Sequence, residues 1–272
     1  MQTDSIFNIG KSHSVCEDYA FHGDNCIIVS DGCSSSKHTD IGSRLLCITA
    51  HRILKTFKNE PLSYYAFGNK VSNCVAEQLL LLDLPISSMD ATLLVSFVND
   101  GIVYVYIYGD GYYQIKFKDD SIQFGTFNYN GNAPYYLSYW LDPQRHNDYI
   151  KQFGESVEYV IGMYSGENYE SISNNININQ HKETSLITPI SINDIEYIIL
   201  MSDGVESFQN YSVHPPIAID TNEVLKEMTN FKNNKGEFVT RRIKSALKKF
   251  KKDGIEHYDD FSVAGIYFGR EI

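Results

Sequence analysis

Aspartate recurs where apolar strands end along this chain. The run Asn25-Cys26-Ile27-Ile28-Val29-Ser30 stops at Asp31-Gly32, and Tyr197-Ile198-Ile199-Leu200-Met201 runs into Ser202-Asp203-Gly204. Asp110 follows the tyrosine-rich run 102–108 inside Gly109-Asp110-Gly111. Asp259 and Asp260 stand just before the last apolar run, and Asp18 lies on the approach to the first. A single Asp-Gly after a strand is ordinarily a turn, because both residues favour turn conformations. Asp100-Gly101 and Asp253-Gly254 read that way. Several carboxylates are a different matter if their strands share one end of a sandwich, since like charges brought close repel unless cations neutralise them. Oxygen-only ligation with retained waters suits magnesium or manganese better than zinc, which prefers His and Cys. The pattern points to a hard divalent cluster.

Apolar spacing supplies the elements. Ile41, Leu45, Ile48, Ile53 and Phe57 recur at helical intervals and predict a helix over 41–57. A second helix is expected over 63–82, with Val71, Val75, Leu79 and Leu82 inward. A strand over 91–98, the turn Asn99-Asp100-Gly101 and a return strand over 102–108 follow. On the return strand Val103, Val105 and Ile107 alternate with Tyr104, Tyr106 and Tyr108, so both faces are apolar, as in a sheet covered on both sides. Strands over 112–118 and 122–127 then predict an antiparallel meander. Residues 128–185 read as an irregular insertion or flap, partly helical and followed by a strand, within a single domain spanning 1–272. Helices are expected over 221–231 and 237–252, the latter with Val239, Ile243, Leu247 and Phe250 on one face, and a closing strand over 261–268. Runs of strands separated by pairs of helices predict an α+β fold, a four-layer αββα sandwich of two antiparallel sheets flanked by helices.

Composition narrows the partners. A net charge of −11 opposes non-specific nucleic-acid binding. No apolar run approaches the roughly 18 to 20 residues of a membrane helix, and Met1-Gln2-Thr3-Asp4-Ser5 lacks the regions of a signal peptide. Five cysteines without a C-x-x-C pair make neither a disulfide framework nor a zinc ribbon, so the expected location is the cytoplasm. Gly10-Lys11-Ser12 is no P-loop, because Ser5 occupies the first glycine position, and there is neither H-E-x-x-H nor G-x-S-x-G. The basic residues of 237–252 read as a solvated face.

In order, the chain contains Glu17-Asp18, Asp31-Gly32, Asp90-Ala91-Thr92, Gly109-Asp110-Gly111, Ser202-Asp203-Gly204 and Asp259-Asp260-Phe261-Ser262-Val263. This series, across residues 7–268, resembles the motifs of the protein phosphatase 2C family, the metal-dependent serine/threonine phosphatases. The family motifs read roughly E-D, D-G-x-x-G, G-[ST]-T-A, G-D-S, S-D-G and D-N-x-[ST]-V. The resemblance implies that Asp31 bridges two metals and that the Gly32 carbonyl is a further ligand. It implies that Asp203 and Asp259 hold one metal, that Glu17 and Asp18 stand on the other side, and that Asp110 helps bind a third, weaker one. The cofactors would be Mg2+ or Mn2+, and the partner a phosphorylated protein. A water bridging two cations would attack phosphorus in line with the leaving serine or threonine oxygen. No cysteine need act as a nucleophile.

The chain departs from the family at three places. His13 stands where the family has an arginine that grips phosphate, four residues before Glu17. His13, or neighbouring Lys11, is expected to take over that contact, which makes His13 and Asp31 the candidate catalytic residues. Cys33 follows Asp31-Gly32 where eukaryotic members often have His, and Ser35 replaces the second glycine, as in the divergent bacterial branch. Cys33 reads as a packing residue, which leaves a metal-bound water or His38 as leaving-group donor. Asp260 stands where the family has Asn, and Asp259 is taken as the ligand. The tyrosine-rich stretch 134–140 is placed to contribute to substrate choice. Two other readings stay open: a pseudophosphatase acting as a binding module, and a phosphatase of small phosphate esters.

Overall fold

The computed structural model describes residues 1–56, 61–166, 168–183 and 185–269. Two antiparallel sheets stack on each other. One has five strands in the order Ile190–Ser191, Ile102–Tyr108, Leu93–Asn99, Cys26–Ser30, Tyr19–His22. The other has seven, in the order Gln2–Asn8, Phe261–Tyr267, Ile195–Met201, Tyr112–Phe117, Ile122–Tyr129, Ser156–Ser165, Asn168–Asn177. Alternation on Ile102–Tyr108 sorts its side chains as expected. Val103, Val105 and Ile107 enter the core between the sheets, while Tyr106 and Tyr108 pack under the helices Thr39–Thr56 and Tyr64–Leu81. On the far side Thr221–Thr229 and Phe238–Lys252 cover the seven-stranded sheet, with Val239, Ile243 and Phe250 buried against it. The layers are therefore α, β, β, α, and the fold is α+β.

Two local expectations need correction. The strands after residue 101 are no single meander. Leu93–Asn99 and Ile102–Tyr108 form a hairpin in one sheet, but Tyr112–Phe117 belongs to the other, between Ile195–Met201 and Ile122–Tyr129. The chain crosses between sheets at Gly109-Asp110-Gly111, where φ of 94° and 115° at the glycines turns the corner. A strand has the same period of two in either sheet, so alternation cannot reveal such a crossing. Leu82 is 54% exposed, because the helix ends at Leu81 and Leu82 only caps it. Phe57, expected at the end of the preceding helix, lies outside the described residues.

The segment 128–185 carries more order than expected. A short turn Leu137–Trp140 leads to the helix Pro143–Phe153, whose start is capped by Asp142 accepting from the Gln144 and Arg145 amides. Two strands then follow rather than one, and the asparagine-rich 174–177 lies in the exposed edge strand of the large sheet. At the other edge Gln2–Asn8 was not legible as a strand, since its residues are mostly polar. Asp4 on that strand is buried, and its carboxylate accepts from the Thr240 amide (2.7 Å), Thr240 Oγ1 (3.1 Å) and the Ser5 amide (2.9 Å). Among the described residues no helix is long and apolar enough to cross a membrane. All five cysteines are free thiols.

Candidate metal centre

The strands that end in aspartate end on the same side of the sandwich. Cys26–Ser30 runs into Asp31 and Ile195–Met201 into Ser202-Asp203, while their antiparallel partners Tyr19–His22 and Phe261–Tyr267 begin there, after Asp18 and Asp260. The crossover at Asp110 brings a carboxylate between the two sheets. Antiparallel pairing, not nearness in sequence, gathers these groups.

Their surroundings make the cluster costly as it stands. Asp18 is fully buried, and its Oδ2 accepts from Ser262 Oγ at 2.6 Å. Its Oδ1 is buried with no hydrogen-bond partner. Burial pushes the Asp18 pKa up to about 7, against the hydrogen bonds from Ser262 and Ser202. Asp31 is raised well above the ordinary carboxylate range, first by burial and then by the charges of Asp18 and Asp203. Asp110 is raised likewise, by burial and then by Asp203. Among the described residues, none of the ion pairs reaches Asp18, Asp31, Asp110 or Asp203.

An all-oxygen, acidic donor set with an orphaned lone pair and no cationic partner fits a hard divalent ion. No three His, Cys, Asp or Glu side chains among the described residues already stand close enough to cage an ion. The carboxylates are near enough to raise one another's pKa yet not closed around a point. Such an open arrangement leaves room for the waters that a hard divalent ion retains.

The loop around Asp31 is pinned by its backbone. The Asp31 amide donates to Thr92 Oγ1 (3.0 Å), the Thr92 amide donates back to the Asp31 carbonyl (2.8 Å), and Gly32 bridges Ala91. A Cβ on Gly32 would come within 2.9 Å of the Glu17 carbonyl and of Thr39, so glycine lets the 16–18 segment lie against this loop. Glu17 Oε1 accepts from Thr39 Oγ1 at 2.7 Å.

Asp259 and Asp260 divide their work. Asp260 is 2% exposed and accepts from the Gly10 amide (2.7 Å) and the Glu17 amide (2.6 Å), so it folds the 10–17 loop. Asp259 has a side chain 46% exposed, and its pKa is raised by partial burial. His13 sits between them, with Nε2 3.1 Å from Asp259 and Nδ1 3.2 Å from Asp260.

Two expected residues are not brought to the cluster. Lys11 pairs with Glu256 at 2.5 Å and lies 4.3 Å over the Tyr211 ring. His38 is exposed at the start of Thr39–Thr56. Cys33 Sγ lies 3.0 Å from Ser35 Oγ.

Two other residues join the site without having been singled out. Glu206 accepts from Tyr112 OH and adds its charge to Asp110; its place three residues after Asp203 was the available signal. Tyr136 is 7% exposed, and burial, then the charges of Asp110 and Asp31, hold its hydroxyl above the usual tyrosine range. Only the cluster of tyrosines over 134–140 hinted at it.

Solved structures resemble this chain. The solved structure of a bacterial serine phosphatase superposes with a TM-score of 0.56 at 12% identity, covering 100% of this chain and 99% of that one. A serine/threonine phosphatase of Mycobacterium tuberculosis, PstP/Ppp, gives 0.49 at 13% identity, covering 97% of each chain. At such identities the first likeness shows the fold alone. No curated protein matches the chain. The family model described as protein phosphatase 2C matches residues 9–249. The chain belongs to the protein phosphatase 2C family.

Proposed function

We propose that the protein hydrolyses phosphoserine and phosphothreonine in other proteins, using two divalent cations, Mg2+ or Mn2+. The observation that carries this reading is the set of mutually repelling carboxylates, Asp18, Asp31, Asp110 and Asp203, gathered without a cationic partner at one end of the sandwich. Asp31, in the field of both Asp18 and Asp203, would help hold both cations. Glu17, Asp18 and the Gly32 carbonyl would serve one ion, Asp203 and Asp259 the other, and Asp110 a third, weaker one. Bound there, the cations would lower the pKa of water and neutralise charge building on the phosphoryl oxygens.

The protein's own groups supply the rest. Ser262 orients Asp18, Thr39 orients Glu17, and Asp260 sets the loop that carries both Glu17 and His13. His13, beside Asp259, would meet a substrate phosphate; Lys11 is turned to Glu256 instead. A histidine lacks the permanent bidentate fork of arginine, so this grip would be weaker than an arginine's.

The experiment is hydrolysis of a phosphothreonine peptide and of an aryl phosphate by purified protein in EDTA, magnesium or manganese, alongside Asp203→Asn and His13→Ala. Metal-dependent turnover abolished by EDTA and by Asp203→Asn is expected, with a raised KM in His13→Ala. Equal rates and KM for His13→Ala and the parent would remove the role of His13. A folded protein inactive with every metal would instead make it a pseudophosphatase, and turnover of the aryl ester alone a small-ester phosphatase.

A further inference from the structure

We propose that Asp90 and Arg145 form a latch that seats the segment 130–154 against the Asp31 loop, and that this latch selects phosphorylated polypeptides over small phosphate esters. The proposal rests on the phosphatase reading above. Asp90 is 3% exposed and belongs to no part of the carboxylate cluster. Its Oδ2 accepts from Ser36 Oγ at 2.7 Å, and its backbone carbonyl accepts from the Cys33 amide at 2.8 Å. Both contacts hold the turn directly after Asp31-Gly32. Its Oδ1 accepts from Ser138 Oγ at 2.6 Å, and both oxygens accept from Arg145 Nη2, at 2.9 and 2.8 Å. Ser138 and Arg145 belong to the turn Leu137–Trp140 and the helix Pro143–Phe153. One buried carboxylate thus ties the metal-site loop to a segment that comes from elsewhere in the chain.

The latch carries aromatic side chains with it. Arg145 lies 4.7 Å from the Tyr139 ring centre, stacking its guanidinium on that face. Tyr136, two residues before the anchored Ser138, is buried, and the charges of Asp110 and Asp31 reach it. Trp140 at the end of the same turn packs edge-on to Tyr108 and stacks on Tyr65. A small aryl phosphate needs only the carboxylate end. A polypeptide must also lay the residues flanking its phosphate along the latched wall, and a preorganised wall lowers the ordering cost of that contact. Removing Arg145 would leave Asp90 buried without its cation, which favours release of the segment. Arg145 is therefore a positioning residue, acting through Asp90 and Tyr136.

The test compares the parent with Arg145→Ala and Arg145→Lys on a phosphothreonine peptide and on para-nitrophenyl phosphate, together with hydrogen–deuterium exchange over residues 130–154. For Arg145→Ala the peptide KM is expected to rise about tenfold, equivalent to ~1.4 kcal/mol, while kcat/KM for the aryl ester stays within about twofold. Arg145→Lys should restore most of the peptide KM, because a single nitrogen makes both contacts to Asp90. Should Arg145→Ala fail to fold, Ser138→Ala removes a neutral contact of the same latch and should shift the same KM less. Exchange over 130–154 should quicken in Arg145→Ala. Equal losses on both substrates, or an unchanged peptide KM with unchanged exchange, would overturn the latch. Inactivity of the parent on both substrates would sink the phosphatase reading, and the exchange comparison alone would then decide whether the latch exists.

Discussion

Buried carboxylates occur in two kinds of place in this protein, and they behave in opposite ways. Asp4, Asp90 and Asp260 are each 2–3% exposed, and donors surround them: the Thr240 amide for Asp4, Arg145 and two serines for Asp90, two loop amides for Asp260. Each ties one element to another. Asp18, Asp31 and Asp110 meet other carboxylates instead, and burial with mutual repulsion drives their pKa values up. A hydrogen-bonded carboxylate holds structure, whereas a repelling cluster raises the free energy of the fold and persists only where something else compensates it. The contrast separates scaffold from site without reference to any relative.

The largest effect that could break this contrast is in Asp31→Asn. Metal-dependent turnover should fall by about 10²–10³-fold or more, the scale of losing one charge-stabilising group. Its melting temperature in EDTA should rise, because a repelling charge has gone. A lower melting temperature, measured by calorimetry, would place Asp31 with Asp4 among the structural carboxylates.

The next effect is on pH dependence. Asp18, Asp31 and Asp110 have folded-state pKa values above their unfolded ones, so their contribution to stability is fully present below about pH 4. That contribution is lost as pH rises through the folded values, which for Asp18 means about 7. Melting curves in EDTA should therefore lose stability from these groups between about pH 4 and pH 7. With Mn2+ the loss should shrink or reverse, so that the stabilisation by metal grows with pH. A gap between the two curves that stays constant over this range would count against a cation at the cluster.

A smaller effect sharpens the other side of the comparison. Asp4→Ala leaves the Thr240 amide without its acceptor and should cost about 1–3 kcal/mol of stability by denaturant titration, with kcat/KM unchanged. A parallel loss of turnover would show that the edge strand reaches the site. The smallest effect belongs to Lys11→Ala. Lys11 is exposed and engaged with Glu256, so neither stability nor KM should change measurably. A raised KM would return Lys11 to the phosphate contact and displace His13 from it.

Much of this was legible from residue order. The apolar runs ending in Asp31 and Asp203, and Asp18 and Asp259 beside the strands that pair with them, announced a cluster, because strand alternation and turn chemistry are local. Helical spacing found Thr39–Thr56, Tyr64–Leu81 and Phe238–Lys252 nearly to their ends. The polar edge strand Gln2–Asn8 escaped notice, since an edge half-open to water needs no apolar alternation. The crossover at Asp110 escaped notice because the same alternation serves either sheet.

The sequence alone determined which residues carry charge, where strands stop, and that carboxylates outnumber the cations able to answer them at those stops. Only the tertiary structure decided which carboxylates are answered. Asp259 and Asp260 are adjacent and chemically identical, yet packing of the 10–17 loop gives one two backbone amides and leaves the other at the rim. Nothing in the order of residues joined Asp90 to Arg145, 55 positions away. Local order is set by covalent neighbours, whereas the pairing of buried charges is settled by which surfaces meet when the sheets and their helices close.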